Sequence, residues 1–131
     1  MVNAINAALS GLNAASRRLQ VSAANIANQQ STKTVVDGAT VNTPYVPQRV
    51  QQVSQAGGGV IATVQDVNPP STKLFDPEDP DAGTDGFVNY PNVSLENEII
   101  NQQIASYDYK ANLKSIKVQQ EMEQSLLDIL S

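Results

Sequence analysis

The chain has 131 residues, room for one domain, with 40% hydrophobic and only 5% aromatic residues, no Trp, and a formal net charge of −5 at pH 7. That acidic balance argues against a nucleic-acid partner, whose phosphates call for clustered Lys and Arg. There is neither His nor Cys, which excludes imidazole acid–base work, a thiol nucleophile and the usual zinc or copper ligands, so no cofactor and no metal are expected.

No run of 18 apolar residues occurs, so membrane insertion is not expected. Residues 1–16 mix apolar residues with Asn and Ser before the first base at Arg17. A cleaved secretory signal calls instead for a charged start and a solid apolar run. If the protein leaves the cytoplasm, the expectation is a route that removes no such signal.

Residues 3–30 read as a first long helix with Asn3 as N-cap. Alternate steps of four and three give Ile5, Leu9, Leu12, Ser16, Leu19, Ala23 and Ile26, of which six are apolar. That spacing marks a coiled-coil seam, although an amphipathic helix lying on a globular core would show a similar stripe. Eight alanines in the segment favour helix and thin its faces, so that a neighbour can come close. All seven prolines fall between Pro44 and Pro91, leaving both ends of the chain free to form long helices.

Residues 31–70 read as β-rich. Asp37-Gly38 between Val/Thr runs predicts a tight hairpin. The alternation Val46, Gln48, Val50, Gln52 predicts a strand, and Gly57 to Gly59 turn into another over Val60 to Val67. The triple glycine lacks the Lys-Ser/Thr of a phosphate loop. Residues 68–92 read as a turn-rich connector whose five acids, Asp76, Glu78, Asp79, Asp81 and Asp85, are expected to be solvated turn charges. They do not match a calcium-binding EF-hand loop: counted from Asp76, the sixth position is Asp81 where Gly is needed, and the twelfth is Phe87 where Glu is needed.

From Ser94 to Ser131 there is no Gly or Pro, and a second long helix is predicted, capped by Asn92 or Ser94, with Glu96 and Glu98 at its positive end. The 4-3 step from Leu95 gives Leu95, Ile99, Gln102, Ser106, Tyr109, Leu113, Ile116, Gln120, Glu123, Leu127 and Leu130, of which seven are apolar. Such a helix is roughly 55 Å long, more than one compact core of this size can cover. A second apolar set, including Ile100, Ile104, Tyr107, Val118, Met122, Leu126 and Ile129, calls for more than one neighbour. The expected fold is therefore α+β: a helical domain built from residues 1–30 and 93–131, and a small β-rich middle over 31–92. Its candidate site is a seam between subunits made of Ile5, Leu9, Leu12, Leu19, Ile26, Leu95, Ile99, Tyr109, Leu113, Ile116, Leu127 and Leu130.

Three stretches carry a family resemblance. Ser22-Ala23-Ala24-Asn25-Ile26-Ala27-Asn28 followed by Ser31-Thr32 is similar to the Asn-x-Ala-Asn signature near the start of the bacterial flagellar axial proteins. Lys73-Leu74-Phe75-Asp76-Pro77, Pro80-Asp81-Ala82, Gly86-Phe87-Val88 and Pro91-Asn92-Val93 resemble the small proximal rod proteins of that family, as does Tyr109-Lys110-Ala111-Asn112. The motif residues are thus Asn25, Ala27, Asn28, Gly86, Pro91, Asn92, Val93, Tyr109 and Asn112. Asp79, Gly83-Thr84, Gln102, Gln103 and Tyr107 depart from the usual pattern. The resemblance implies a structural subunit of the flagellar basal-body rod, a periplasm-spanning drive shaft that transmits torque. Its implied partners are other copies of itself, other rod proteins and the flagellar type III export apparatus, with an uncleaved N-terminus and no enzymatic activity. A free-standing coiled-coil adaptor or secreted interaction protein stays open as the alternative.

Overall fold

The structure, a computed structural model, describes residues 2–36, 39–41 and 43–130. Two helices, α1 (Val2–Ala27) and α2 (Leu95–Leu130), enclose six strands in the sequence: β1 (Thr34–Val36), β2 (Ala39–Val41), β3 (Gln48–Ser54), β4 (Val60–Asp66), β5 (Ser71–Phe75) and β6 (Phe87–Pro91). The strands form three separate antiparallel hairpins, β1–β2, β3–β4 and β5–β6. This is the α+β arrangement that the sequence implies.

The helices run antiparallel: Gly11 lies beside Asn112, Arg18 binds Asp108, and Ser22 reaches Glu98. The buried stripe of α1 is Ile5, Ala8, Leu12, Ala15, Leu19, Ser22 and Ile26, large and small residues alternating at steps of three and four. Ala8, Leu12, Ala15 and Ser22 are buried, and the remaining three are half-buried. On α2 a set with the same period is buried or half-buried throughout: Glu98, Gln102, Ala105, Tyr109, Asn112, Ile116, Gln119 and Glu123. The period is that of a coiled coil, but apart from Tyr109 and Ile116 the α2 residues are small or polar, so the helices approach closely and bury little apolar area. At Gly11 the approach is tightest, since a Cβ there would sit 2.6 Å from Asn112 Oδ1.

The β3–β4 ribbon lies along α1. Near its base the Gln48 N–H donates to Asn25 Oδ1 (3.0 Å), and near its tip the Val60 N–H donates to Ser10 Oγ (3.0 Å). A two-stranded ribbon is marginal alone, and these anchors, with Val50, Val60 and Ala62 half-buried, are what hold it. β1 and β2 pair where a hairpin is expected, with Val36 opposite Ala39; Asp37-Gly38, on which that expectation rests, lies outside the described residues.

One expectation is corrected, and a choice between two caps is decided for Ser94. Residues 68–92 are more than a connector: β5 and β6 pair over their full length, and the bend-forming Asp-Pro and Asp-Gly residues of 76–86 are the hairpin's loop. The cross-strand pairs Leu74–Val88 and Phe75–Phe87 drive the pairing, the latter an edge-to-face ring contact at 5.2 Å. At the start of α2, Ser94 is the cap, its Oγ accepting the Asn97 N–H at 3.4 Å. Asn92 serves the preceding segment instead, donating from Nδ2 to the Pro69 carbonyl (3.0 Å) and from its backbone to Pro70.

Candidate functional site

The end of α1 holds a polar clamp. Asn25 is 1% exposed, which is costly for an amide unless every lone pair and proton is used. Here all are used. Its Nδ2 donates to the Gln48 carbonyl (2.7 Å) and to Glu98 Oε1 (2.8 Å), while its Oδ1 accepts from the Gln48 N–H (3.0 Å) and from the Tyr45 hydroxyl (3.1 Å). One side chain thus joins α1, the start of β3 and the first turn of α2. Ser22, one turn earlier, donates to the Glu98 carbonyl at 2.8 Å. Burial, helped by the Glu98 and Asp66 carboxylates, pushes the Tyr45 phenol above its ordinary value, which keeps it the donor that the clamp needs.

Beyond the clamp, Asn28 closes α1. Its Nδ2 donates to the Ala24 carbonyl (2.9 Å), and Ser31 returns to it through both backbone and hydroxyl. The next residues catch the far hairpin: Thr32 donates to Asp81 Oδ2 (2.6 Å), and Lys33 pairs with Asp81. Asp81 is therefore a buckle, and the expectation of a solvated turn charge fails because the segment leaving α1 supplies its partners. Hydrogen bonds from Lys33, then Thr32, hold its carboxyl below the usual range. Asp79 likewise is engaged, accepting the Tyr90 hydroxyl at 2.9 Å and the Asp81 N–H at 2.7 Å.

The expected seam residues divide in the single chain. Leu12 is buried, whereas Ile5, Leu19, Ile26, Tyr109 and Ile116 are half-buried. Leu9, Leu95, Ile99, Leu113 (46% exposed) and Leu127 (67%) face outward, and Leu130 is the last residue of α2. Of the motif residues, Asn25 and Asn28 act as described, and Ala27 ends α1. Gly86 closes the β5–β6 loop at φ 74°, a conformation that favours glycine, with the Phe75 ring 2.9 Å from where a Cβ would stand. Pro91 is buried, Val93 donates to its carbonyl (2.8 Å), and Asn112 spends its amide N–H on Asp108 (2.8 Å) while facing Gly11.

Among curated proteins, the flagellar basal-body rod protein FlgC of Salmonella typhimurium is 35% identical over 124 residues, covering 93% of this chain and 92% of its own. The chain belongs to the FlgC family of flagellar basal-body rod proteins. The FlgC of Yersinia enterocolitica is 38% identical over 116 residues (87% and 86%), and that of Bacillus subtilis 26% identical over 148 (97% and 96%). Residues 84–129 match the family described as flagellar basal body rod FlgEFG protein C-terminal. That match spans β6 and nearly all of α2, which includes the Glu98 arm of the clamp.

Sequence reading missed the partners of Asn25. Glu98 has the look of a charge placed for the helix end, and Tyr45 and Gln48 of ordinary strand-edge residues; only the fold brings them within 3.1 Å of one amide. It also missed the ion pair between Arg18 and Asp108 (3.0 Å), two charges 90 residues apart.

Asn25→Ala strands the Gln48 N–H and the Tyr45 hydroxyl in a buried place. We expect it to cost about 2–3 kcal/mol in denaturant unfolding, and a loss under about 0.5 kcal/mol would refute the clamp. Asp81 gives a pH test. Its carboxyl is depressed in the fold, so its contribution is present above the unfolded value near 3.9 and fades as pH falls through the lower folded value. The gap in melting temperature between wild type and Asp81→Asn should be constant above about pH 5 and close below about pH 4; a gap that widens in acid would contradict the buckle.

Proposed function

We propose that this chain, a structural subunit of the flagellar basal-body rod, polymerises through the apolar faces that its helices leave uncovered. One observation carries the reading. Toward α1, α2 turns Ala105, Asn112 and Gln119, while Leu95, Ile99, Leu113, Leu127 and the further set Ile100, Ile104, Val118, Met122, Leu126 and Ile129 lie exposed. A helix with its large side chains outward is covered by other helices, and in a homopolymer those belong to neighbouring subunits. In this reading residues 1–30 and 93–131 make the polymerising helical domain and 31–92 a middle region outside it. Of the seam, Leu9, Leu95, Ile99, Leu113, Leu127 and Leu130 are closed by other copies and by other rod proteins, as are the open sides of the half-buried Ile5, Leu19, Ile26, Tyr109 and Ile116, whereas Leu12 is already covered within the subunit. Torque passes through the packed wall.

The reading further places the protein in the periplasm-spanning part of the basal body, delivered by the flagellar type III export apparatus without loss of a signal peptide. It assigns no catalysis, no nucleic-acid partner and no membrane insertion. An acidic chain without His or Cys suits that role, and no described helix is long and apolar enough to cross a membrane. A free-standing adaptor finds no support among relatives that are all rod proteins.

Leu113→Asp separates folding from assembly. Leu113 is half open to solvent in the single chain, so the change should alter unfolding by no more than about 0.5 kcal/mol. In the rod, an unpaired carboxylate buried at every subunit should cost several kcal/mol each. The variant should be made and secreted at normal levels yet be missing from isolated basal bodies, leaving cells without flagella. Normal incorporation would overturn the seam, and loss of the protein inside the cell would place Leu113 in the subunit's own core.

A further inference from the structure

Both phenylalanines of the chain, Phe75 and Phe87, sit on the solvent side of the β5–β6 hairpin, 63% and 42% exposed. Strand alternation explains how. Val88 and Tyr90 point inward, Val88 fully buried beside Thr32, Lys33 and Asp81, so residues 75 and 87 point out. The buckle at Asp81 and the ring-to-ring contact at 5.2 Å hold the pair in place, and β5 and β6 pack on no other described helix or strand. Beyond joining β5 to β6, this aromatic pair is left open to solvent by the described residues. Pre-positioned aromatics of this kind are the usual anchors of protein interfaces.

We propose that this face docks on the outer side of α2 of a second copy of this chain, with Phe75 and Phe87 seated over Ala111 and Ser115. The inference rests on the self-assembly reading above and names one contact within it. Ala111, Lys114, Ser115 and Val118 line an open dip of about 450 Å³, where two small residues let rings approach the helix. The charges match. The hairpin loop beside the rings carries Asp76, Glu78 and Asp85, three acids that outweigh the single base Lys73 on that face, while the dip is bordered by Lys110, Lys114 and Lys117. Of these, Lys110 leans over the Tyr107 ring and Lys117 stands 3.8 Å from Glu121, leaving Lys114 as the base in the dip itself. In the single chain the Asp81 buckle ties the hairpin to Thr32 and Lys33 just beyond α1, whereas Ala111 lies about 20 Å along α2 from Glu98, which meets that end of α1. Two different patches of one chain that fit each other make a heterologous contact, which repeats from subunit to subunit instead of closing a pair. That is the geometry a rod requires.

The absence of cysteine makes the test clean. Lys73 lies on the same hairpin face as Phe75 and Phe87. Full-length chain carrying Lys73→Cys and Ser115→Cys together, oxidised in isolated basal bodies, should give disulfide-linked dimers and longer ladders, and neither single variant should. Normal rods without ladders would overturn the contact while leaving self-assembly intact. If the double-cysteine chain builds no rods, charge exchange decides. Lys114→Glu should lower subunit content in basal bodies at least about tenfold, and adding Glu78→Lys in the same chain should restore it. Normal content with Lys114→Glu alone, or no restoration, would also overturn the contact. Absence of the wild-type chain from basal bodies would instead defeat the assembly reading itself.

Discussion

The buried amide of Asn25 is the constraint on which the arrangement depends. Both hydrogens and both acceptor positions of its side chain are taken, by the Gln48 backbone, Tyr45 and Glu98. A hydrophobic residue could fill the same space but would not fix direction. The amide sets where β3 starts, how α2 enters beside α1, and the rotation of the first turn of α2. Ser22, Arg18 and then the Gly11–Asn112 approach continue the same register toward the other end of the helix pair. Alignment by polar contacts at intervals suits a seam of alanines, where apolar packing alone discriminates poorly between registers.

That seam also explains the odd distribution of apolar residues. A helix pair held by Ala8, Leu12, Ala15, Ala105 and a few hydrogen bonds leaves most of the leucines and isoleucines of α2 free. Within one chain this is a weak core, since small residues bury little area. In a polymer it is an economical division, because the surface that is not needed to shape the subunit is what binds its neighbours. The middle region is built the same way at β3–β4 and β5–β6: each of these hairpins is tied by a few polar anchors and shows apolar side chains such as Val53, Ile61 and Phe75 to the outside.

The periodicity of the sequence was enough to read the two long helices and the α+β class, because every Pro, and every Gly but Gly11, lies in the middle and the 4-3 step is long and regular. The phase of the internal seam was harder. On α1 the stripe through Ile5, Leu12, Leu19 and Ile26 is common to the expected and observed faces, but its intervening members are Ala8, Ala15 and Ser22, each one residue before the Leu9, Ser16 and Ala23 of the 4-3 step. Small residues at a close helix contact give no hydropathy signal. The β5–β6 hairpin hid behind its loop, because the Asp, Pro and Gly bends of 76–86 dominate a segment whose strands are only five residues each. The clamp was legible as a motif at Asn25 and illegible as a mechanism, since its partners stand 20 to 73 residues away.

The central claim is that one set of apolar residues shapes the subunit and another, exposed in the single chain, is covered on assembly. Side-chain footprinting of the free chain and of assembled rods, read residue by residue, tests it most directly. Leu12 should be protected in both states, whereas Leu95, Ile99, Leu113 and Leu127 should be reactive in the free chain and protected in the rod. Equal reactivity of Leu113 and Leu127 in the two states would contradict the account.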